Sequence, residues 1–145
     1  MTIVEKQEKL IKEFSNFKNW EARYQHIINL GKTLPPLAEK YKIEENRVKG
    51  CQSLAWLHAA LSGNKVEYEA DSDAIIVRGL IAMLIYVYSG ESPQDILKSN
   101  TDFLATIGLT THLSQSRSNG LAALVKQFKN YAIAFDVLLK ANKKS

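Results

Sequence analysis

The sequence predicts an α+β fold in which a small antiparallel sheet of about three strands packs against several helices. Three observations predict it. Two neighbouring segments, Leu54 to Leu61 and Lys65 to Asp71, are joined by a Ser62-Gly63-Asn64 turn, and in the second Val66, Tyr68 and Ala70 alternate with charged side chains. That is the pattern of a hairpin with one wet face. Helical spacing of apolar residues dominates both ends of the chain, and the order helices, strands, helices leaves too few strands for a parallel doubly wound sheet.

The opening helix follows from the capping-box spacing of Thr2 and Glu5 and from Leu10, Ile11 and Phe14 at helical intervals, before Ser15 and Asn16 interrupt it. A second helix starts after Asn19, places Trp20, Tyr24, Ile27 and Ile28 on one face, and stops near Gly31 ahead of Pro35-Pro36. The polar, weakly patterned stretch to Gly50 reads as loop with a short strand at Arg47 to Lys49. After the hairpin, Ser72 or Asp73 is placed to cap a long apolar helix from Ala74 to Tyr88, ended by Gly90. Being apolar on nearly all sides, that helix belongs at the centre of the fold. Ser92-Pro93-Gln94-Asp95 has the residues of a helix start, and a short helix through Leu97 follows. Another runs from Asp102 to Ile107 and ends at Gly108, then a last one begins after Ser116 with Leu121, Leu124, Val125, Phe128 and Tyr131 three and four apart.

The 145 residues fit one domain, 1–145, large enough to bury a core without disulfides or a structural metal. The one cysteine, Cys51, closes no intrachain disulfide and alone holds neither zinc nor an iron–sulfur cluster, so chemistry at this position is thiol chemistry. The N-terminus lacks a basic stretch followed by an apolar core and a small-residue cleavage site, so a reducing cytoplasm is the expected setting. The apolar run from Ala74 to Tyr88 is shorter than a bilayer span, and no membrane insertion is expected. A net charge of +4 comes from lysines scattered among glutamates, without a basic stripe or aromatic platform, so nucleic acid is not an expected partner. The basic tail Lys140 to Ser145 reads as a solvated helix end.

Cys51 stands in Val48-Lys49-Gly50-Cys51-Gln52-Ser53, between a loop and the first clear strand. A lone cysteine is commonly a small buried hydrophobe, but such a residue is expected among apolar neighbours. Gly50 removes bulk beside the thiol and allows close approach of another protein, and Lys49 and Arg47 are placed to stabilise a thiolate. His26 reads as a solvated or edge residue and His58 as a sheet histidine, whereas His112 sits in a loop, free to reach a site. Asp71 and Asp73 make a weak metal pair, and no metal site is expected. Arg117 opposes the helix dipole at the start of the last helix and therefore needs an anion or carbonyl partner.

Asn19-Trp20-Glu21 with Tyr24, Leu30-Gly31-Lys32 with Leu34-Pro35, Gly50-Cys51-Gln52-Ser53 with Trp56, Asp71-Ser72-Asp73-Ala74 with Ile76-Val77, Gly79-Leu80, Pro93-Gln94-Asp95-Ile96, and His112-Leu113-Ser114 with Ser116-Arg117-Ser118 and Gly120-Leu121 stand in this order along the chain. In these motifs the sequence resembles the SufE sulfur-acceptor family. The related CsdE branch has a similar architecture, and Gln52-Ser53 and His112-Leu113 look more like SufE. The resemblance implies a fold like that of the scaffold IscU and a persulfide carried on Cys51. It implies that Gly50, Gln52, Ser53, Asp73, His112 and Arg117 contact a partner or position the loop. The implied partners are a pyridoxal-phosphate-dependent cysteine desulfurase, SufS-like or CsdA-like, and an iron–sulfur scaffold complex of the SufBCD kind. The chain itself is expected to need no cofactor, since the pyridoxal phosphate belongs to the desulfurase. It would act with that enzyme and not as a stand-alone catalyst, with the thiol sheltered until the partner docks.

Three other readings stay open at this level. One is an interaction protein that activates a desulfurase with Cys51 incidental, another a hydrolase pairing Cys51 with a histidine and with Asp71 or Asp73. The third is a cluster scaffold assembled across an oligomer.

Overall fold

Thr2 and Glu5 form the expected capping box in the computed structural model, which describes residues 1–144. Thr2 Oγ1 accepts from the Glu5 amide at 3.1 Å, and Glu5 Oε1 accepts from the Thr2 amide at 2.8 Å. Helix α1 (Ile3–Phe14) follows and buries Ile3, Leu10 and Phe14. Asn19 caps α2 (Trp20–Lys32) by accepting from the Ala22 amide at 2.8 Å. The stretch beyond it, expected as loop, carries two single 3-10 turns, Glu39–Tyr41 and Glu44–Asn46.

Strands β1 (Ala55–Ser62) and β2 (Lys65–Ser72) pair antiparallel, with Leu57 opposite Ala70 and Ala59 opposite Tyr68. Val66, Tyr68 and Ala70 point inward while Lys65, Glu67 and Glu69 stay exposed, as the alternation requires. The sheet has two strands where the sequence reading expected about three. The segment at Arg47 to Lys49 contributes one bridge, Arg47 to Trp56, with the Val48 amide donating to the Ala55 carbonyl at 2.9 Å. Gly50 then takes φ 88° and turns the chain out of the ladder, so the pairing cannot extend.

Helix α3 (Ile75–Tyr88) is the central element, with Leu80, Ile81, Met83, Leu84, Val87 and Tyr88 at 0 or 1% exposure. Burying each such side chain contributes about 1.5–3 kcal/mol, so this helix anchors the core. Its expected cap is not made by Ser72 or Asp73: the N-cap residue is Ala74, which makes no side-chain cap bond. Strand β2 runs through Ser72, and both side chains turn toward the start of β1. Ser72 Oγ donates to the Leu54 carbonyl at 2.7 Å and accepts from the Ala74 amide at 3.1 Å, while Asp73 Oδ1 accepts from the Leu54 amide at 3.1 Å.

Against α3 lies α2, so close that a β-carbon on Gly79 would sit 2.1 Å from the Ile27 carbonyl oxygen. Ser92 caps α4 (Pro93–Lys98), Gly108 ends α5 (Asp102–Ile107), and a single turn, α6 (Leu109–His112), occupies the place expected as loop. The last helix, α7 (Gln115–Lys144), covers the hairpin, with the Tyr68 hydroxyl donating to the Phe128 carbonyl at 2.7 Å and the Tyr131 hydroxyl to the Leu57 carbonyl at 3.1 Å. Burial pushes the pKa of both phenols upward, as it does for Tyr88. Ser145, the end of the basic tail, lies outside the described residues. No described helix is long and apolar enough to cross a membrane.

Candidate thiol site

The loop that carries Cys51 is tied at its two ends. Upstream, the Val48 amide is bound to Ala55; downstream, Leu54 is gripped at its carbonyl by Ser72 and at its amide by Asp73. Between these ties the chain makes a turn at Lys49–Gly50, and no side-chain hydrogen bond engages Gly50, Cys51, Gln52 or Ser53 among the described residues. Few bonds hold this segment shut, which is the condition for local opening.

What holds the loop closed is packing. The half-buried Cys51 rests on α7 where Gly120 leaves room: a β-carbon there would lie 3.3 Å from Sγ. Gly50 packs beside it, where an added β-carbon would lie 3.3 Å from the Ala123 methyl. Around the thiol is a crevice of about 20 Å3, walled by Gln52 and Ser53, by Val77 and Leu80 of α3, and by Arg117, Leu121 and Leu124 of α7. That volume holds about one water-sized atom.

The residues singled out from sequence divide into three groups. Cys51, Gln52, Ser53 and Arg117 line the crevice together, and Gly50 forms the turn that delivers the thiol to it. Asp73 is exposed, does not line the crevice, and fastens the loop's downstream end. His112 does not reach the crevice; it stacks on Trp20, centroids 4.8 Å apart and planes 13° apart, because α6 fixes it on that side. Lys49 and Arg47 also turn away, both toward Glu44, and the Lys49 bond lowers the Glu44 pKa. Of the basic residues considered, Arg117 is the one that lines the crevice. Its Nη1 donates to the Tyr24 hydroxyl at 3.4 Å, and no described carboxylate lies within ion-pair distance of it.

The other histidines serve packing. His58 stacks on Tyr41 at 3.8 Å, consistent with a sheet role, and His26, half-buried and not solvated, stacks on Phe17 at 4.6 Å. Asp71 is buried on Arg78 at 2.8 Å, which removes it from any site. No cluster of three metal-ligating side chains occurs among the described residues. Gly120, Val77 and Leu80 belong to the motifs that carry the resemblance, but sequence reasoning did not place them around the thiol. A glycine six residues into a long helix was the available signal, since such a residue often marks a close approach.

A family model described as "SufE: Fe-S metabolism associated domain" matches residues 8–132. Among curated proteins, an uncharacterised SufE-like protein of Rhizobium etli is 41% identical over 130 residues, covering 86% of this chain and 88% of that protein. Another from Rhizobium meliloti is 37% identical over 130 residues, covering 86% of this chain and 93% of its own. Among solved structures, a hypothetical protein from Thermus thermophilus matches with a TM-score of 0.75, covering 91% of this chain and 96% of that one at 24% identity. That last likeness speaks to the fold.

Proposed function

Because this chain belongs to the SufE family, described as an Fe–S metabolism associated domain, we propose that it accepts a sulfur atom on Cys51 from a cysteine desulfurase and passes it to an iron–sulfur cluster scaffold. The observation that carries this reading is the loop, without side-chain hydrogen bonds, that packs Cys51 against Gly120. A thiol so held is sheltered in the free protein and is released by a movement that breaks no side-chain hydrogen bond of the loop.

The chemistry is exchange at sulfur. The desulfurase carries the sulfur of free cysteine as a persulfide on its own cysteine. The Cys51 thiolate attacks the outer sulfur, a new S–S bond forms on Cys51, the partner's S–S bond breaks, and the partner leaves as a thiolate. No net oxidation or reduction occurs, and the same exchange run toward an acceptor unloads the sulfur.

Each residue has a part in this reading. Gly50 is the upstream hinge. Gln52 and Ser53 follow the thiol as the loop swings. Asp73 holds the downstream hinge and, being exposed, meets the partner. Arg117 faces the thiolate, and His112 presents its exposed turn to the docked enzyme. The crevice, about one atom in volume, suits a loaded sulfane sulfur and keeps it from solvent oxidants.

No histidine lines the crevice among the described residues, which disfavours a Cys–His hydrolase. The test is stimulation. Added to a purified desulfurase with cysteine, the chain should raise alanine production severalfold, and Cys51→Ser should abolish that rise. Full stimulation by the serine variant would instead establish an interaction protein whose cysteine is incidental.

A further inference from the structure

Arg117 occupies a position that the backbone disfavours. It lies in the first turn of α7, where the helix dipole is unfavourable to a cation, so its placement needs an acceptor elsewhere. That acceptor is neutral: the Tyr24 hydroxyl, at 3.4 Å. The distinction matters because a carboxylate would cancel the guanidinium charge, whereas a phenol oxygen fixes its position and leaves the charge to act on its surroundings.

Resting on the sulfur-acceptor reading of Cys51, we propose that Tyr24 is a positioning residue which holds Arg117 at the thiol crevice, so that the sulfur anion faces an uncompensated cation. Tyr24 is itself set by neighbours. Trp20 packs edge-on against its ring at 6.2 Å, and His112 clamps the other side of Trp20. The chain His112, Trp20, Tyr24, Arg117 thereby links α6 and α2 to the thiol crevice.

The other charged groups nearby are engaged. Lys49, on the loop, is bonded to Glu44; Asp73, before α3, holds the Leu54 amide. Arg23 of α2 spends Nε on the Phe17 carbonyl at 3.0 Å and Nη1 on the Ile107 carbonyl at 2.7 Å, and His112 of α6 is stacked on Trp20. Arg117 is the charged side chain that lines the crevice.

The test is alkylation of Cys51 by iodoacetamide in the intact chain, without desulfurase, so its failure leaves the sulfur-acceptor reading untouched. The readout is the ratio of the rate near neutral pH to the rate at about pH 10, measured for each variant. A variant that only loosens the loop raises both rates together, whereas one that removes the cation facing the sulfur changes their ratio. Tyr24→Phe keeps the half-buried ring and is expected to lower the ratio about threefold, and Arg117→Gln about tenfold. The double variant should match Arg117→Gln alone, because Tyr24 acts through Arg117. If circular dichroism shows Tyr24→Phe unfolded, Tyr24→Leu replaces it with the same expectation. An unchanged ratio in the tyrosine variant, an unchanged ratio in Arg117→Gln, or a double variant lower than Arg117→Gln by the full tyrosine factor overturns the proposal.

Discussion

The sulfur of Cys51 rests where Gly120 lacks a side chain, and a β-carbon at Gly120 would come within 3.3 Å of it. That separation is tighter than ordinary contact but not prohibitive, and the thiol sits on a loop able to yield. Gly120→Ala should therefore displace the loop and not the helix. A mid-helix alanine also gains about 1 kcal/mol over glycine in helix propensity. The expected outcome is severalfold faster alkylation of Cys51 by a thiol reagent with no fall in melting temperature.

The crossing of α2 and α3 tolerates no such change. At Gly79 an added β-carbon would meet the Ile27 carbonyl oxygen at 2.1 Å, and at Gly31 it would meet the Gly79 nitrogen at 2.7 Å. Both obstacles are backbone, so the helices themselves must part. Gly79→Ala is expected to cost at least about 3 kcal/mol, at the upper end of overpacking penalties, read as a lower urea midpoint.

Asp71 and Arg78 tie the stretch between α2 and β1 to the core. The Asp71 carboxylate accepts from Arg78 Nη1 at 2.8 Å and from the Leu37 amide at 3.3 Å, and Arg78 Nη2 donates to the Leu34 carbonyl at 2.9 Å. Asp71→Ala leaves the guanidinium and the Leu37 amide without this partner. Breaking one half of a buried pair costs about 3 kcal/mol, measurable by chemical denaturation. The paired change Asp71→Asn, which retains a carbonyl acceptor, should cost less.

The N-terminal cap gives a pH signature. Hydrogen bonds from the Thr2 backbone and then its side chain lower the Glu5 pKa from its ordinary 4.5. A carboxylate whose folded value is depressed contributes stability above its unfolded pKa and loses it as pH falls through the folded one. Wild type should therefore exceed Glu5→Gln in melting temperature near neutral pH, and the gap should close below about pH 4. A gap that persists in strong acid would contradict the cap as the source.

Much of this was legible in the sequence because local chemistry decided it. Thr2 with Glu5 is a reciprocal cap, Ser92-Pro93 opens α4, and the alternation of Val66, Tyr68 and Ala70 sets the inner face of the hairpin. The legibility ended where a residue's partner lay far along the chain. Ser72 and Asp73 have the composition of helix caps, yet they hold Leu54, nearly twenty residues upstream, because the end of β2 faces the start of β1. Lys49 is adjacent to the thiol in sequence and turns to Glu44, while Arg117 reaches the crevice from α7. Similarly, His112 was expected in a free loop, but a helical turn and the indole of Trp20 fix it. Cys51 was identifiable by its polar setting and Gly120 by its place inside a helical pattern; that the two meet was not, because only the docking of α7 brings them together.

The central claim is that sulfur is carried covalently on Cys51. Incubating the chain with a cysteine desulfurase and cysteine, quenching without reductant and weighing the peptides by mass spectrometry tests this directly. The account predicts one added sulfur atom on the peptide containing Cys51, removable by a reducing agent. An unmodified Cys51 peptide beside a desulfurase whose own cysteine is loaded would contradict it.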